Sequence, residues 1–140
     1  MSEANTVSER REKDGRHMAV LLRRESDDAL SAEGWAIYSA VRSGTPAAYV
    51  DLAQIGFFSP VREDDPGNHR LKAAALAAMW GTYRAAGVRA LILCGRVESG
   101  LDVERYAAAL ADADTPLSVF EMPSDGDVTD IVREVRGRLG

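Results

Sequence analysis

Short apolar runs alternate with longer amphipathic stretches from Met18 to the end of the chain, and this alternation limits the fold more than any other feature. Met18 to Leu22 is unbroken in apolar residues, which suits a strand covered on both faces. Amphipathic helices laid between such strands give βαβ units on a parallel sheet. The first strand, Met18 to Leu22, ends at Arg23, and a loop from Arg24 to Leu30 leads to a helix from Ser31 to Ser43. Ser31 is its N-cap, Trp35, Tyr38 and Val41 recur at helical spacing, and Gly44 stops it. Thr45-Pro46 opens a second strand, Ala48 to Leu52, with Asp51 near its end. Gln54 to Gly67 is the longest irregular stretch, and segments of that length are usually functional or mobile. Asn68 then caps a second helix running to Ala86, its apolar face drawn through Leu71, Ala75, Ala78, Met79 and Thr82.

A third strand covers Ala90 to Cys94, a third helix Asp102 to Ala111 buries Val103, Tyr106, Ala107 and Leu110, and a fourth strand covers Leu117 to Glu121. In the last helix Val128, Ile131, Val132, Val135 and Leu139 share one face. Asp127 and Asp130 open it and Arg133, Arg136 and Arg138 close it, the arrangement the helix dipole favours. The expected architecture is a small three-layer α/β/α domain over residues 18–140 around a four-stranded, mostly parallel sheet. Residues 1–17, MSEANTVSERREKDGRH, are polar and mixed in charge and read as a disordered tail.

A length of 140 residues allows one such core, and 46% hydrophobic residues can fill it without disulfide or metal support. The single cysteine, Cys94, allows no intrachain disulfide, and no apolar run has signal-peptide or transmembrane length, so a cytoplasmic protein without membrane contact is expected. The formal charge is −5, and without residues 1–24, which hold six basic and four acidic side chains, the body carries −7. Counterion release on nucleic acid needs a basic face, so nucleic acid is not an expected partner. With His17 and His69 the only imidazoles beside one cysteine, no zinc set can be assembled, and neither metal nor cofactor is expected.

In open parallel sheets ligands bind beyond the carboxyl ends of the strands, which here carry Arg23 and Arg24, Asp51, Cys94 and Gly95, and Glu121. Around those ends lie the stretches A-Y-V-D-L-A-Q-I-G-F (Ala48 to Phe57), D-D-P-G-N-H-R-L-K-A (Asp64 to Ala73) and Y-R-A-A-G-V-R-A-L-I-L-C-G (Tyr83 to Gly95). With them the sequence resembles the P-loop kinase-like ATPases akin to adenylyl-sulfate and nucleoside-monophosphate kinases, from about Met18 to Arg136. The resemblance implies a strand order with the first strand central. It also implies a phosphate loop, G-x-x-x-x-G-K-[ST], whose backbone N–H groups and lysine cradle the phosphates.

Matching Gly34-Trp35 to the family's glycine and aromatic sets that signature on Arg24, Ala29, Leu30 and Ser31, of which Ser31 alone keeps its type. The replacement loop, Arg23 to Leu30, holds two positive and three negative charges, and carboxylates beside a polyphosphate repel it. Arg23 or Arg24 standing in for the lysine is the alternative. Ala53 occupies the place where such kinases often carry a second polar residue after Asp51, and Glu121 lies where they commonly carry a lid arginine.

The acceptor side of the resemblance is kept, since Asp51, Gln54, Phe57, Asn68, His69 and Arg70 match the motif. It therefore implies a degenerate kinase-like protein without ATP hydrolysis, acting by binding a small ligand or a protein partner through the former acceptor site. Arg24, Ser31, Gln54, Phe57, Asn68 and Arg96 are its expected ligand contacts. One alternative is a repurposed small-molecule enzyme using Asp51, His69 and Arg70 as acid/base and anchoring groups; another is a homodimer that hides a sheet edge. Each residue also has a plainer role. Asp51 can cap the turn that follows it, His69 can be a hydrogen-bonded packing group, and Arg70 can pair with Glu63, Asp64 or Asp65. Arg96 and Glu98 can be solvated loop charges, and Cys94 a small core residue.

Overall fold

The computed structural model describes residues 17–23 and 30–139, except the side chains of Leu30 and Ser31. The tail 1–16 and the loop 24–29 therefore lie outside the described residues. The elements in chain order are β1 (Met18–Arg23), α1 (Leu30–Val41), β2 (Ala47–Asp51), a 3-10 turn (Leu52–Gln54), α2 (His69–Ala85), β3 (Ala90–Gly95), α3 (Gly100–Ala111), β4 (Leu117–Glu121) and α4 (Thr129–Leu139). All strand pairs are parallel, in the order β2-β3-β1-β4, so the first strand is central.

The unbroken apolar runs take the two inner positions, where both faces are covered. Met18, Val20 and Leu22 of β1 and Ala90, Ile92 and Cys94 of β3 pack with Ile37 and Val41 of α1 and with Ile131, Val135 and Leu139 of α4. Their alternates, Ala19 and Leu21, Leu91 and Leu93, pack on the other face with Leu76 and Trp80 of α2 and with Tyr106 and Leu110 of α3. The period-2 alternation of strand side chains thus divides one sheet between two cores and makes three layers. Gly34 sets how closely α1 approaches the sheet. A Cβ there would lie 3.0 Å from the Cβ of Cys94 and 3.1 Å from a ring carbon of Tyr49.

Four local expectations need correction. The first helix already includes Leu30, so Ser31 lies within it and is not its N-cap. The buried face of α2 is Ala73, Leu76 and Trp80, not the Leu71 to Thr82 line, and Leu71 is exposed. Trp80 turns inward because its indole N–H reaches Thr115 Oγ1 at 2.8 Å, satisfying a polar pair that is otherwise sealed from water. Asn68 does not cap α2 with its side chain: it takes a left-handed backbone (φ 55°), and its amide donates instead to the Gly56 carbonyl at 3.1 Å. The cap is Asp65, whose carboxylate accepts from the N–H groups of Arg70 and Leu71. Finally, His17, read with the tail, lies edge-on to Trp80 with ring centroids 6.0 Å apart. Among the described residues no helix is long and apolar enough to cross a membrane.

Candidate functional site

The register aligns the carboxyl ends of all four strands, with Asp51 beside Cys94 and with Gly95, Arg23 and Glu121 in one row. Arg23 closes the middle of that row. Its Nε lies 2.5 Å from Glu121 Oε1, and a terminal guanidinium N–H donates to the Val97 carbonyl at 3.3 Å. Both contacts tie the end of β1 to its neighbours, Glu121 at the end of β4 and Val97 just beyond β3. Arg24 falls outside the described residues, and so do the side chains of Leu30 and Ser31.

Beyond the ends of β2 and β3 a cleft of about 420 Å³ opens between the starts of α2 and α3. Leu52 and Ala53 contribute one wall, and the polar lining is His69, Lys72, Arg96, Glu98, Ser99 and Asp102. Two glycines make room for the His69 and Lys72 side chains on its wall. A Cβ on Gly67 would come within 2.7 Å of the His69 ring, and one on Gly56, whose φ is +74°, within 2.7 Å of the Lys72 stem. The N-terminus of α3 is capped by Ser99, whose Oγ accepts from the Leu101 N–H at 3.1 Å.

The charges of the cleft sort into pairs. Arg96 places Nε and a terminal nitrogen each 2.7 Å from Glu98 Oε1. Asp102 sits 3.7 Å from Arg105 through one oxygen and 3.9 Å from His69 Nε2 through the other. Lys72 makes no ion pair among the described residues. His69 Nδ1 is 2.7 Å from the hydroxyl of Tyr106, a fully buried residue of α3. Burial pushes the His69 pKa below its ordinary 6.5, opposed by Asp102 and assisted by Lys72, so the imidazole is neutral at pH 7. Burial also raises the Tyr106 phenol, and Asp102 and Asp65 add to the rise, so the hydroxyl keeps its proton.

Of the residues singled out from sequence, His69 and Arg96 reach this cleft together. Asp51 instead accepts from the Ala53 N–H at 2.9 Å and caps the 3-10 turn that contains Gln54. Phe57 stands 82% exposed in the following loop. Asn68 ties that loop to α2, as described above. Arg70 pairs with Asp64 at 3.5 Å and lines a separate groove, which it shares with Arg105 and the alanines of α2 and α3. Asp51, His69 and Arg70 thus sit in three different settings.

The sequence reading missed Lys72, Ser99, Asp102 and Tyr106. Two signals for them existed: Lys72 follows His69 by three residues, and Tyr106 follows Asp102 by four, spacings that share a helix face. Cys94 is buried beneath α1, with its sulfur 3.1 Å from the Tyr49 hydroxyl, and burial pushes its thiol up to about 11. Among the described residues no three His, Cys, Asp or Glu side chains gather as a metal site.

A parallel four-stranded sheet with its first strand inside, helices on both faces and a cleft at the carboxyl ends defines the kinase-like α/β class of fold. A solved structure has that fold: the APS kinase CysC of Mycobacterium tuberculosis, in a form with one cysteine changed to alanine. It superposes with a TM-score of 0.57 at 12% sequence identity, covering 88% of this chain and 98% of that one. At that identity the likeness shows the P-loop kinase-like fold alone. No family model matches the chain, and no curated protein matches it in sequence.

Proposed function

We propose that this chain is a kinase-fold protein that no longer uses ATP and works by binding, with a small ligand held in the cleft between α2 and α3. The observation that carries this reading is the contrast between two ends of one sheet edge. The positions matching the phosphate-loop signature read Arg24, Ala29, Leu30 and Ser31, without either glycine or the lysine that hold a triphosphate. Arg23, the other candidate cation there, is spent on Glu121. The cleft beyond β2 and β3 keeps His69, Lys72, Arg96 and Ser99 on its walls.

A phosphotransfer assay with labelled Mg-ATP and a panel of hydroxyl and sulfate acceptors tests the reading. No turnover above the no-enzyme rate is expected, and transfer or hydrolysis abolished by Asp51→Asn would overturn it. A second reading, a protein partner or second copy at this end of the sheet, is favoured by Phe57, Phe58 and Val61, exposed in the segment between Ala53 and Pro66, two residues that line the cleft. Light scattering over a concentration series decides for self-association, and a constant monomer mass removes the second copy.

A further inference from the structure

His69, Tyr106 and Lys72 together make more of the cleft than a generic polar hollow. The Tyr106 hydroxyl is sealed from solvent, and among the described residues its hydrogen-bond partner is His69 Nδ1. Two arrangements fit that 2.7 Å contact. If Nδ1 carried the ring proton and donated, the phenolic hydrogen would be buried without an acceptor, an arrangement that costs roughly a full desolvation penalty. If the phenol donates, Nδ1 accepts, every group is satisfied, and the proton of the neutral ring must sit on Nε2.

Asp102 selects the same tautomer, because a carboxylate 3.9 Å from Nε2 favours an N–H there over a lone pair. At 3.9 Å that N–H is not held in a hydrogen bond to Asp102, so it stays available to the cleft. The charges nearby point to what it meets. The lining sets Lys72 and Arg96 against Glu98 and Asp102; Arg96 is paired with Glu98, and Asp102 also faces Arg105 from outside the cleft, so Lys72 is the lining cation that makes no ion pair among the described residues. One cation without an ion pair beside one neutral N–H donor, with two carboxylates in the same lining, suits a small group of low charge and disfavours a polyphosphate.

We propose that the cleft binds a small oxyanion, a carboxylate, sulfate or phosphate group, between the Nε2–H of His69 and the ammonium of Lys72. Tyr106 then acts behind His69 as the positioning residue that fixes which ring nitrogen carries the proton. This rests on the cleft being the ligand site. It gives His69 the part of a hydrogen-bond donor rather than a base, a part invisible in the sequence because Tyr106 lies 37 positions away.

Long-range ¹H–¹⁵N spectra of the histidine-labelled full chain at neutral pH test both halves, with His17→Gln assigning the two imidazoles and sodium phosphate, sulfate and acetate titrated separately. Expected are a proton on His69 Nε2, movement of that resonance on titration, and a ranking of the three anions that names the ligand group. Lys72→Met, which keeps the aliphatic stem over Gly56, should weaken binding roughly tenfold with the tautomer unchanged. Tyr106→Phe should mix the tautomers and weaken binding several-fold while unfolding stays cooperative, and His69→Gln, which retains a side-chain N–H, should recover more binding than His69→Leu. A ring proton found on Nδ1 overturns the inference. So does an Nε2–H resonance unmoved by all three anions at tens of millimolar, or Tyr106→Phe leaving both tautomer and affinity unchanged. None of these outcomes depends on ATP turnover, so the functional reading stands or falls separately.

Discussion

Asp65 is one of three consecutive acidic residues, and it alone is buried, at 7% exposure. Its carboxylate lies 3.2 and 3.1 Å from the Arg70 nitrogen and 3.4 Å from that of Leu71, so it satisfies two of the N–H groups left open at the start of α2. Removing a cap of this kind costs about 0.5–2 kcal/mol, and the upper end applies because the acceptor is charged, buried and set on the positive end of the helix dipole. Relief of a buried charge offsets part of this, so Asp65→Ala is expected to destabilise the chain by about 2 kcal/mol and Asp65→Asn by about half as much. For a domain of this size the Ala variant should lower Tm by about 8 °C.

Asp64→Ala is the matched control. That side chain is 53% exposed and pairs with Arg62 and Arg70 at the surface, so its loss should stay within about 0.5 kcal/mol. Urea and thermal unfolding followed by circular dichroism measure all three variants. Equal effects at positions 64 and 65, or an Asp65→Ala loss below about 0.5 kcal/mol, would refute the capping argument.

Other outcomes follow from the same geometry. Because the folded pKa of His69 lies below the unfolded 6.5, the unfolded chain takes up the proton first. Stability is therefore complete above that value and falls as pH drops through it, levelling once the folded ring protonates, and His69→Gln should remove the slope in unfolding measured between neutral and mildly acid pH. Asp127 is held below its ordinary value by the side chain and backbone N–H of Thr129, so its contribution is present above about pH 4 and lost below it; Asp127→Asn should flatten the acid limb there. The buried Cys94 thiol, raised to about 11, should alkylate only as fast as the native chain opens, and rapid labelling without denaturant would contradict its placement. Trp80→Phe, which removes the bond to Thr115 and shrinks a sealed side chain, is expected to cost about 2 kcal/mol by equilibrium unfolding.

The layers of this fold were legible where one physical signal dominated. β4 spans the residues read from sequence, and Ile131, Val135 and Leu139 of α4 are buried as their spacing demands. On α2 the signal failed because six of the 17 positions are alanine, five of them between residues 73 and 78, and blur the apolar period, so the face is decided by where Leu76 and Trp80 can fit, a tertiary matter. Capping was misread for a similar reason. Asn68 stands immediately before the helix, where the cap is expected, but its left-handed turn aims its amide at Gly56 and leaves the helix start to Asp65, three residues earlier.

At the site, His69 and Arg96 were found through motif and strand-end reasoning, and Lys72 shares a helix face with His69. The contact that defines His69 joins α2 to α3 across the core surface, and no local pattern in either helix announces it. The pairings of Arg23 with Glu121 and of Arg96 with Glu98 likewise settle which cations are committed, and the first of these spans 98 positions of sequence.

The most direct test of the central claim is calorimetric titration of the full chain with ATP, with and without Mg²⁺, at two temperatures so that a vanishing enthalpy does not hide binding. The account predicts no heat beyond dilution at millimolar nucleotide. Saturable micromolar binding that strengthens with Mg²⁺ would show that the loop after β1 still holds a triphosphate and would contradict it.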